Sequence, residues 1–304
     1  MSTSKLENNM SVCANCGKGE ESSINLKSCT ACKLVKYCSR GCQIAHRSQH
    51  KKECKKRAKE LHDEKLFKHP PPEEDCPICM IRLPMLASGT VYMACCGKLI
   101  CRGCVYAFQS RVTKKEHDVC PFCRTPPPIS YEERIKRLEK RMGMNDAMAI
   151  SSMGAYYDGG LIGLQQNRIK ALELWHRVAE LGCALAYSCI GTAYKNGWGV
   201  EVDEKKAKKY WESAASGGCL KARHNLGRLE VKEGNVERAL NHFMIAVRDG
   251  NSDSLQNIKH MCKHGFATKE DYAKALQFHQ TYVDEIKSDQ RDEAVAYKDE
   301  WKYY

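Results

Sequence analysis

Several things are missing from this 304-residue sequence, and each absence excludes something. No stretch approaches the roughly 18 consecutive apolar residues that a membrane-spanning helix needs, so no membrane segment is predicted. The first ten residues, MSTSKLENNM, are polar and lack the apolar run of a secretory leader. There is no Gly-x-Ser-x-Gly and no glycine-rich phosphate loop, so neither hydrolase nor nucleotide-binding chemistry is indicated. Together these absences predict a cytoplasmic or nuclear chain, not a secreted one, in which thiols stay reduced.

Cysteine is what the sequence has instead. Of 19 cysteines, 15 lie between Cys13 and Cys123. In a reducing compartment, paired Cys-x-x-Cys motifs read as zinc sites rather than disulfides. The formal charge is +12, which by itself suggests a nucleic-acid partner. The surplus sits in the cysteine-rich half, because residues 131–304 hold 27 basic and 25 acidic side chains. Zinc binds thiolate. Fifteen thiolates with four Zn2+ add −7 and lower the charge from +12 to +5, so nucleic acid is not needed to explain it.

Residues 13–54 form a first Cys/His cluster and residues 76–123 a second. Triple prolines at 70–72 and 126–128 punctuate the chain after each cluster, because proline disfavours helix and stiffens a linker. Downstream, a small residue followed four later by an apolar one recurs as Ala149/Met153, Ala186/Ile190, Ala222/Leu226 and Ser254/Ile258. Glycine follows the first three pairs, as Gly154, Gly191 and Gly227. A second pair recurs as Ala171/Trp175, Ala207/Trp211, Ala239/Phe243 and Ala275/His279, with Gly182, Gly218 and Gly250 placed to end helices. This periodicity predicts two helices per unit. The units resemble Sel-one-like repeats, relatives of tetratricopeptide repeats, best in residues 186–218 with their Gly-x-Gly-Val loop. The fourth unit departs, with Lys259 for the glycine and His279 for the aromatic. The resemblance implies a protein-binding scaffold. Cys183, Cys189, Cys219 and Cys262 are expected as small core residues.

The first cluster reads Cys13-x2-Cys16-x12-Cys29-x2-Cys32-x5-Cys38-x3-Cys42-x7-His50-x3-Cys54. Each Cys-x-x-Cys can grip a tetrahedral zinc from a tight turn. Cys38 and Cys42, and His50 and Cys54, are four apart and share a helix face. His46 competes with His50. With YCSRGCQ, the pattern resembles the MYND zinc finger. The resemblance implies interleaved sites, Cys13, Cys16, Cys38 and Cys42 for one zinc and Cys29, Cys32, His50 and Cys54 for the other. It also implies a proline-containing peptide as ligand. The run KKECKKRAKE (51–60) is a nuclear-import signal, a phosphate patch or the solvated face of a helix continuing past Cys54.

The second cluster reads Cys76-x2-Cys79-x15-Cys95-Cys96-x4-Cys101-x2-Cys104-x15-Cys120-x2-Cys123. Opening with CPIC and closing with CPFCR, it resembles a RING domain with all-cysteine ligation. Lys98 stands in the register of the usual histidine, but an ammonium group has no lone pair at neutral pH and is a poor ligand. The cross-brace implied by the resemblance joins Cys76, Cys79, Cys101 and Cys104, and separately Cys95, Cys96, Cys120 and Cys123. His117 is the reserve ligand. The resemblance further implies that Ile78, Phe108 and Pro121 meet a ubiquitin-conjugating enzyme, and that Arg124 bridges that enzyme and ubiquitin.

The expected architecture is thus two small zinc-stabilised α+β modules, MYND-like and RING-like cross-braces, followed by an all-α helical-repeat solenoid. Its boundaries are a disordered start (1–12), the finger (13–54), a charged and proline-rich linker (55–75), the RING-like domain (76–125), a linker or helix (126–144), the repeats (145–288) and a tail (289–304). Four Zn2+ per chain are expected. The expected function is a RING-type ubiquitin-protein ligase whose finger and repeats recruit a protein substrate, with no nucleic acid and no membrane partner. The alternative is a non-catalytic adaptor.

Overall fold

The computed structural model describes residues 12–19, 25–70, 74–85, 87–111 and 119–304. Residues 1–11 of the predicted disordered start, and His117, lie outside them. The chain divides into two compact units, residues 1–68 and 69–304.

In the first unit, β1 (Lys27–Ser28) pairs antiparallel with β2 (Lys36–Tyr37). Helix α1 (Arg40–Ala45) follows, its N-terminus capped by Ser39 Oγ, which accepts from the Cys42 amide at 3.2 Å. Helix α2 (Arg47–Leu66) is 20 residues long. The core of this unit is small, with Leu26 and Tyr37 packed among cysteines. A core this size rarely stabilises a fold without a metal. The helix runs through residues 55–66, expected as a linker, because Lys, Arg, Glu, Ala and Leu are strong helix formers and no proline intervenes before Pro70.

The second unit opens with a hairpin of β3 (Thr90–Met93) and β4 (Lys98–Cys101), in register from Thr90 opposite Cys101 to Met93 opposite Lys98. Helix α3 (Arg102–Arg111) follows directly. Ten helices come next: α4 (Tyr131–Gly143), α5 (Ala147–Gly159), α6 (Arg168–Glu180), α7 (Ala184–Asn196), α8 (Glu204–Ser216), α9 (Leu220–Lys232), α10 (Val236–Arg248), α11 (Ser252–Lys263), α12 (Lys269–Ile286) and α13 (Asp289–Tyr297). The segment expected as a tail therefore contains a helix.

The repeat signature has a steric meaning. Every small residue of the recurring pairs is fully buried, and Trp175, Trp211 and Phe243 are at most 6% exposed. A Cβ on Gly154 would stand 2.6 Å from Trp175 Nε1, one on Gly191 2.6 Å from Trp211 Cδ1, and one on Gly227 2.5 Å from Phe243 Cε1. Each glycine lets the next helix lay its aromatic ring on bare backbone. In the fourth unit Lys259 is exposed and His279 half-buried, so that contact is absent there. Gly182, Gly218 and Gly250 take φ between 82° and 95°, which L side chains rarely adopt. The four repeat cysteines are half-buried rather than fully buried, and Cys183 and Cys219 occupy the N-caps of α7 and α9.

The second cysteine cluster is built into this unit at both ends of the helical array. At one end, the Tyr92 hydroxyl donates to Asp146 Oδ2 at 2.8 Å. The same carboxylate receives Arg141 from α4, and its other oxygen caps α5 at the amides of Met148 and Ala149. At the other end, Arg82 pairs with Asp249 (2.8 Å) and Glu285 (3.0 Å), and the Tyr282 hydroxyl accepts from the Met85 amide (2.8 Å). Helix α13 packs on α3, where a Cβ at Gly103 would meet the Arg291 backbone nitrogen at 2.8 Å.

Candidate metal centres

Four donor sets gather in space: Cys13, Cys16, Cys38 and Cys42; Cys29, Cys32, His50 and Cys54; Cys76, Cys79, Cys101 and Cys104; and Cys95, Cys96, Cys120 and Cys123. Within each set the ligand atoms lie within 4.8 Å of one another. Zn–S bonds of about 2.3 Å in a tetrahedron place sulfurs roughly 3.8 Å apart. The observed separations are 3.5 Å for Cys16–Cys38, 3.8 Å for Cys29–Cys54, 3.8 Å for Cys76–Cys104 and 3.9 Å for Cys96–Cys120. They are far from the about 2.05 Å of a disulfide. The crowding is also electrostatic. Burial, then hydrogen bonds and charge from Cys32 and Cys29, push the Cys54 thiol up to about 12. Hydrogen bonds to Cys16 and Cys42 push Cys38 up to about 12. A divalent cation removes that cost, so donor type, number and spacing all fit four tetrahedral zinc ions.

Each Cys-x-x-Cys outside α3 sits on one turn geometry. The amides of Gly17, Lys33, Met80 and Arg124 each donate to the carbonyl of the first cysteine, four residues back, at 2.9 Å. All four residues have φ between 57° and 73°. The adjacent pair Cys95-Cys96 lies on the tight connection between β3 and β4. The amides of Cys96 and Gly97 both donate to the Met93 carbonyl, at 3.2 and 2.7 Å. Gly97 has φ 71°, and a Cβ there would overlap the Arg141 guanidinium. That turn sends neighbouring side chains to different partners, Cys95 to Cys123 (3.4 Å) and Cys96 to Cys120 (3.9 Å). Lys98 is exposed outside the donor set, its ammonium 5.8 Å from the Phe122 ring centre. His50 directs Nε2 at Cys32 (3.2 Å), whereas His46 contacts the Tyr37 hydroxyl through Nδ1 (3.1 Å) and lies in no donor set.

Ile78, Phe108, Pro121 and Arg124 line one shallow hollow of about 270 Å3 beside the second cluster. Ile78 is 41% exposed. The Arg124 guanidinium stands 4.6 Å over the Phe108 ring, an attraction between a cation and the ring's negative face. Gln290 of α13 shares the hollow, and its Oε1 lies 3.8 Å from Cys104 Sγ. Next to it, buried Arg291 donates to the carbonyls of Arg82 (2.9 Å), Ile286 (2.6 Å) and Ile81 (3.2 Å), and lies 3.8 Å from Cys79 Sγ. Sequence reasoning missed Gln290 and Arg291. No local pattern marks them, since all their partners but Ile286 are about 200 residues away.

Comparison with known proteins places these parts. The MYND finger family model matches residues 13–54, and the Sel1 repeat model matches residues 147–183, 185–219 and 260–281. No RING family model matches. The ERAD-associated E3 ubiquitin-protein ligase component HRD3B of Arabidopsis thaliana is 30% identical over 112 residues, 36% of this chain and 17% of that protein. Protein sel-1 homolog 2 of Rattus norvegicus is 30% identical over 126 residues, 40% of this chain and 16% of that protein. The chain thus spans about one sixth of the length of these relatives. A Sel1 repeat protein from Oxalobacter formigenes is similar in structure, with a TM-score of 0.45 and 27% identity, over 51% of this chain and 64% of that one. The chain thus joins a segment that matches the MYND finger and a second cysteine cluster, four donor sets fit for zinc in all, to a helical fold that matches Sel1 repeats.

Proposed function

We propose that this chain is a RING-type ubiquitin-protein ligase, with residues 76–125 receiving a ubiquitin-charged conjugating enzyme and the finger and repeats recruiting protein substrates. The observation that carries the reading is the shared hollow. Ile78 comes from the Cys76–Cys79 knuckle, Phe108 from α3, and Pro121 and Arg124 from the Cys120–Cys123 knuckle, yet all four meet at one surface. Ile78, Phe108 and Pro121 supply apolar area for a docked enzyme. Arg124 supplies a planar fork of donors that can hold carbonyls of two partners at once. No covalent intermediate forms on this chain. The zinc ions hold the loops in place, and the surface selects the reactive orientation of the ubiquitin thioester, which is catalysis by positioning. The relative named as a ubiquitin-protein ligase component, similar over 36% of this chain, agrees with this setting.

The test is discharge of ubiquitin from a panel of charged conjugating enzymes. Acceleration by the zinc-loaded chain with at least one of them supports the ligase. Ile78→Ala should then weaken enzyme binding while zinc content stays unchanged. Failure with every enzyme leaves the non-catalytic adaptor.

A further inference from the structure

The finger also has a groove of its own. A groove of about 480 Å3 lies between the Cys29–Cys32 knuckle and the helices α1 and α2. Its apolar part is Ala31, the edge of Tyr37 and the side chain of Ile44, which is 63% exposed. Its floor runs onto the donor set through Cys29, His50 and Cys54, and its rim holds Thr30, Gln43 and four cations. Arg47, Lys51 and Lys55 are spaced four apart and so project from one face of α2, and Arg40 joins them from α1. No carboxylate lines the groove. Among the described residues none of these four cations makes an ion pair with an acidic side chain. Glu60 and Glu64 of α2 take Arg57 instead, and Asp63 lies 3.4 Å from His62 Nδ1.

We infer that this groove binds an acidic peptide, one apolar residue seated beside Ile44 and flanking Asp or Glu side chains meeting Arg40, Arg47, Lys51 and Lys55. The inference rests on the reading of the finger as a peptide-binding module and names the charge of its ligand. Arginine takes carboxylate through two parallel donors, and complementary charge selects partners as well as speeding encounter. A peptide fits better than a nucleic acid. Single strands are held by stacking bases on exposed aromatic rings, and the aromatic in this groove, Tyr37, is only 4% exposed. An apolar side chain at the mouth of a basic well serves a peptide anchor, not a phosphate backbone.

The experiment uses the full zinc-loaded chain and three labelled peptides: Asp-Glu-Pro-Leu-Glu-Asp, its amide counterpart Asn-Gln-Pro-Leu-Gln-Asn, and the anchorless Asp-Glu-Ser-Ser-Glu-Asp. The acidic, anchored peptide should bind roughly tenfold more tightly than either of the others at low salt, with the advantage shrinking as salt rises. Arg47→Glu with Lys51→Glu should abolish the preference for acid, so that the acidic peptide binds no more tightly than the amide peptide. The milder pair Arg47→Gln and Lys51→Gln, checked for unchanged zinc content, should halve the advantage or more, which guards against misfolding of the charge reversal. Equal binding of the acidic and amide peptides would overturn the inference and leave the peptide-binding finger standing. Binding of none would overturn both. Tighter binding of a single-stranded oligonucleotide than of the acidic peptide would make the groove a nucleic-acid site and overturn it too.

Discussion

Arg124 occupies a backbone position where glycine would be the default. Its φ of 62° matches those of Gly17, Lys33 and Met80 in the other knuckles. A left-handed conformation costs an L side chain on the order of 1 kcal/mol, and glycine regains that while losing a similar amount through a more disordered unfolded state. Arg124→Gly should therefore change stability by no more than about 1 kcal/mol. The same substitution removes the guanidinium from the hollow, so ubiquitin discharge should fall sharply while melting temperature and zinc content hold. A proportional loss of melting temperature and discharge would make Arg124 a structural residue. A second residue-scale test concerns the turn at 94–97. Cys95→Ser and Cys96→Ser should each lower zinc content toward three ions per chain, because each removes one of four donors. Lys98→Ala should leave it unchanged. Metal analysis showing zinc loss in the lysine variant alone would reverse the ligand assignment.

At the scale of the helical element, the repeat depends on three glycines that accept an aromatic ring. Gly191→Ala brings a methyl group to 2.6 Å from the buried Trp211 ring, which cannot yield without displacing α8. Overpacking of this kind costs about 1–3 kcal/mol, even though alanine is the better helix former by about 1 kcal/mol. Thermal unfolding should show a clear loss for Gly191→Ala and Gly227→Ala. Alanine at Lys259, the corresponding place in the fourth unit, should be nearly silent because that side chain is exposed. These positions were legible in the sequence, since helix spacing is local and the glycine and aromatic recur at fixed offsets. The helix past Cys54 was one reading of the run 51–60, but its extent to Leu66 and the helix α13 were not legible. Both stretches are rich in charged residues and have little apolar periodicity, so by domain they read as linker and tail.

At the scale of the molecule, the second cluster and the Sel1 repeats form one unit, not two modules on a tether. Reading the parts separately predicts that chelation unfolds residues 13–123 and leaves the helices intact. The contacts of Tyr92 with Asp146, of Arg82 with Asp249 and of Arg291 with the carbonyls of residues 81 and 82 predict otherwise. Removing zinc should lower the melting temperature of the helical region, followed by circular dichroism, because its two ends lose partners held by the metal-bound loops. Arg291→Ala should act in the opposite direction, speeding zinc release from the second cluster. It removes the side-chain donor from the carbonyls of Arg82 and Ile286, while the Ile81 carbonyl keeps the Cys76 amide, at a cost of about 1–3 kcal/mol for each that finds no new donor. Unchanged melting on chelation would show that the cluster and the repeats are thermodynamically independent.

The sequence by itself determined the metal chemistry and the helical repeat. Two thiols on one turn, or a ring on the next helix's glycine, are short-range relations that spacing displays directly. The resemblances already implied which cysteine pairs face the same ion, and the structure gathers the same four sets; only the tertiary structure decided how Cys95 and Cys96 part to different partners, and that α13 closes on α3. Those relations join residues far apart in the chain, some of them some 200 positions away, and burial rather than local pattern selects them. The same reason hides Arg291 in the sequence, where it is one basic residue among 49 and carries no mark of the carbonyls it serves.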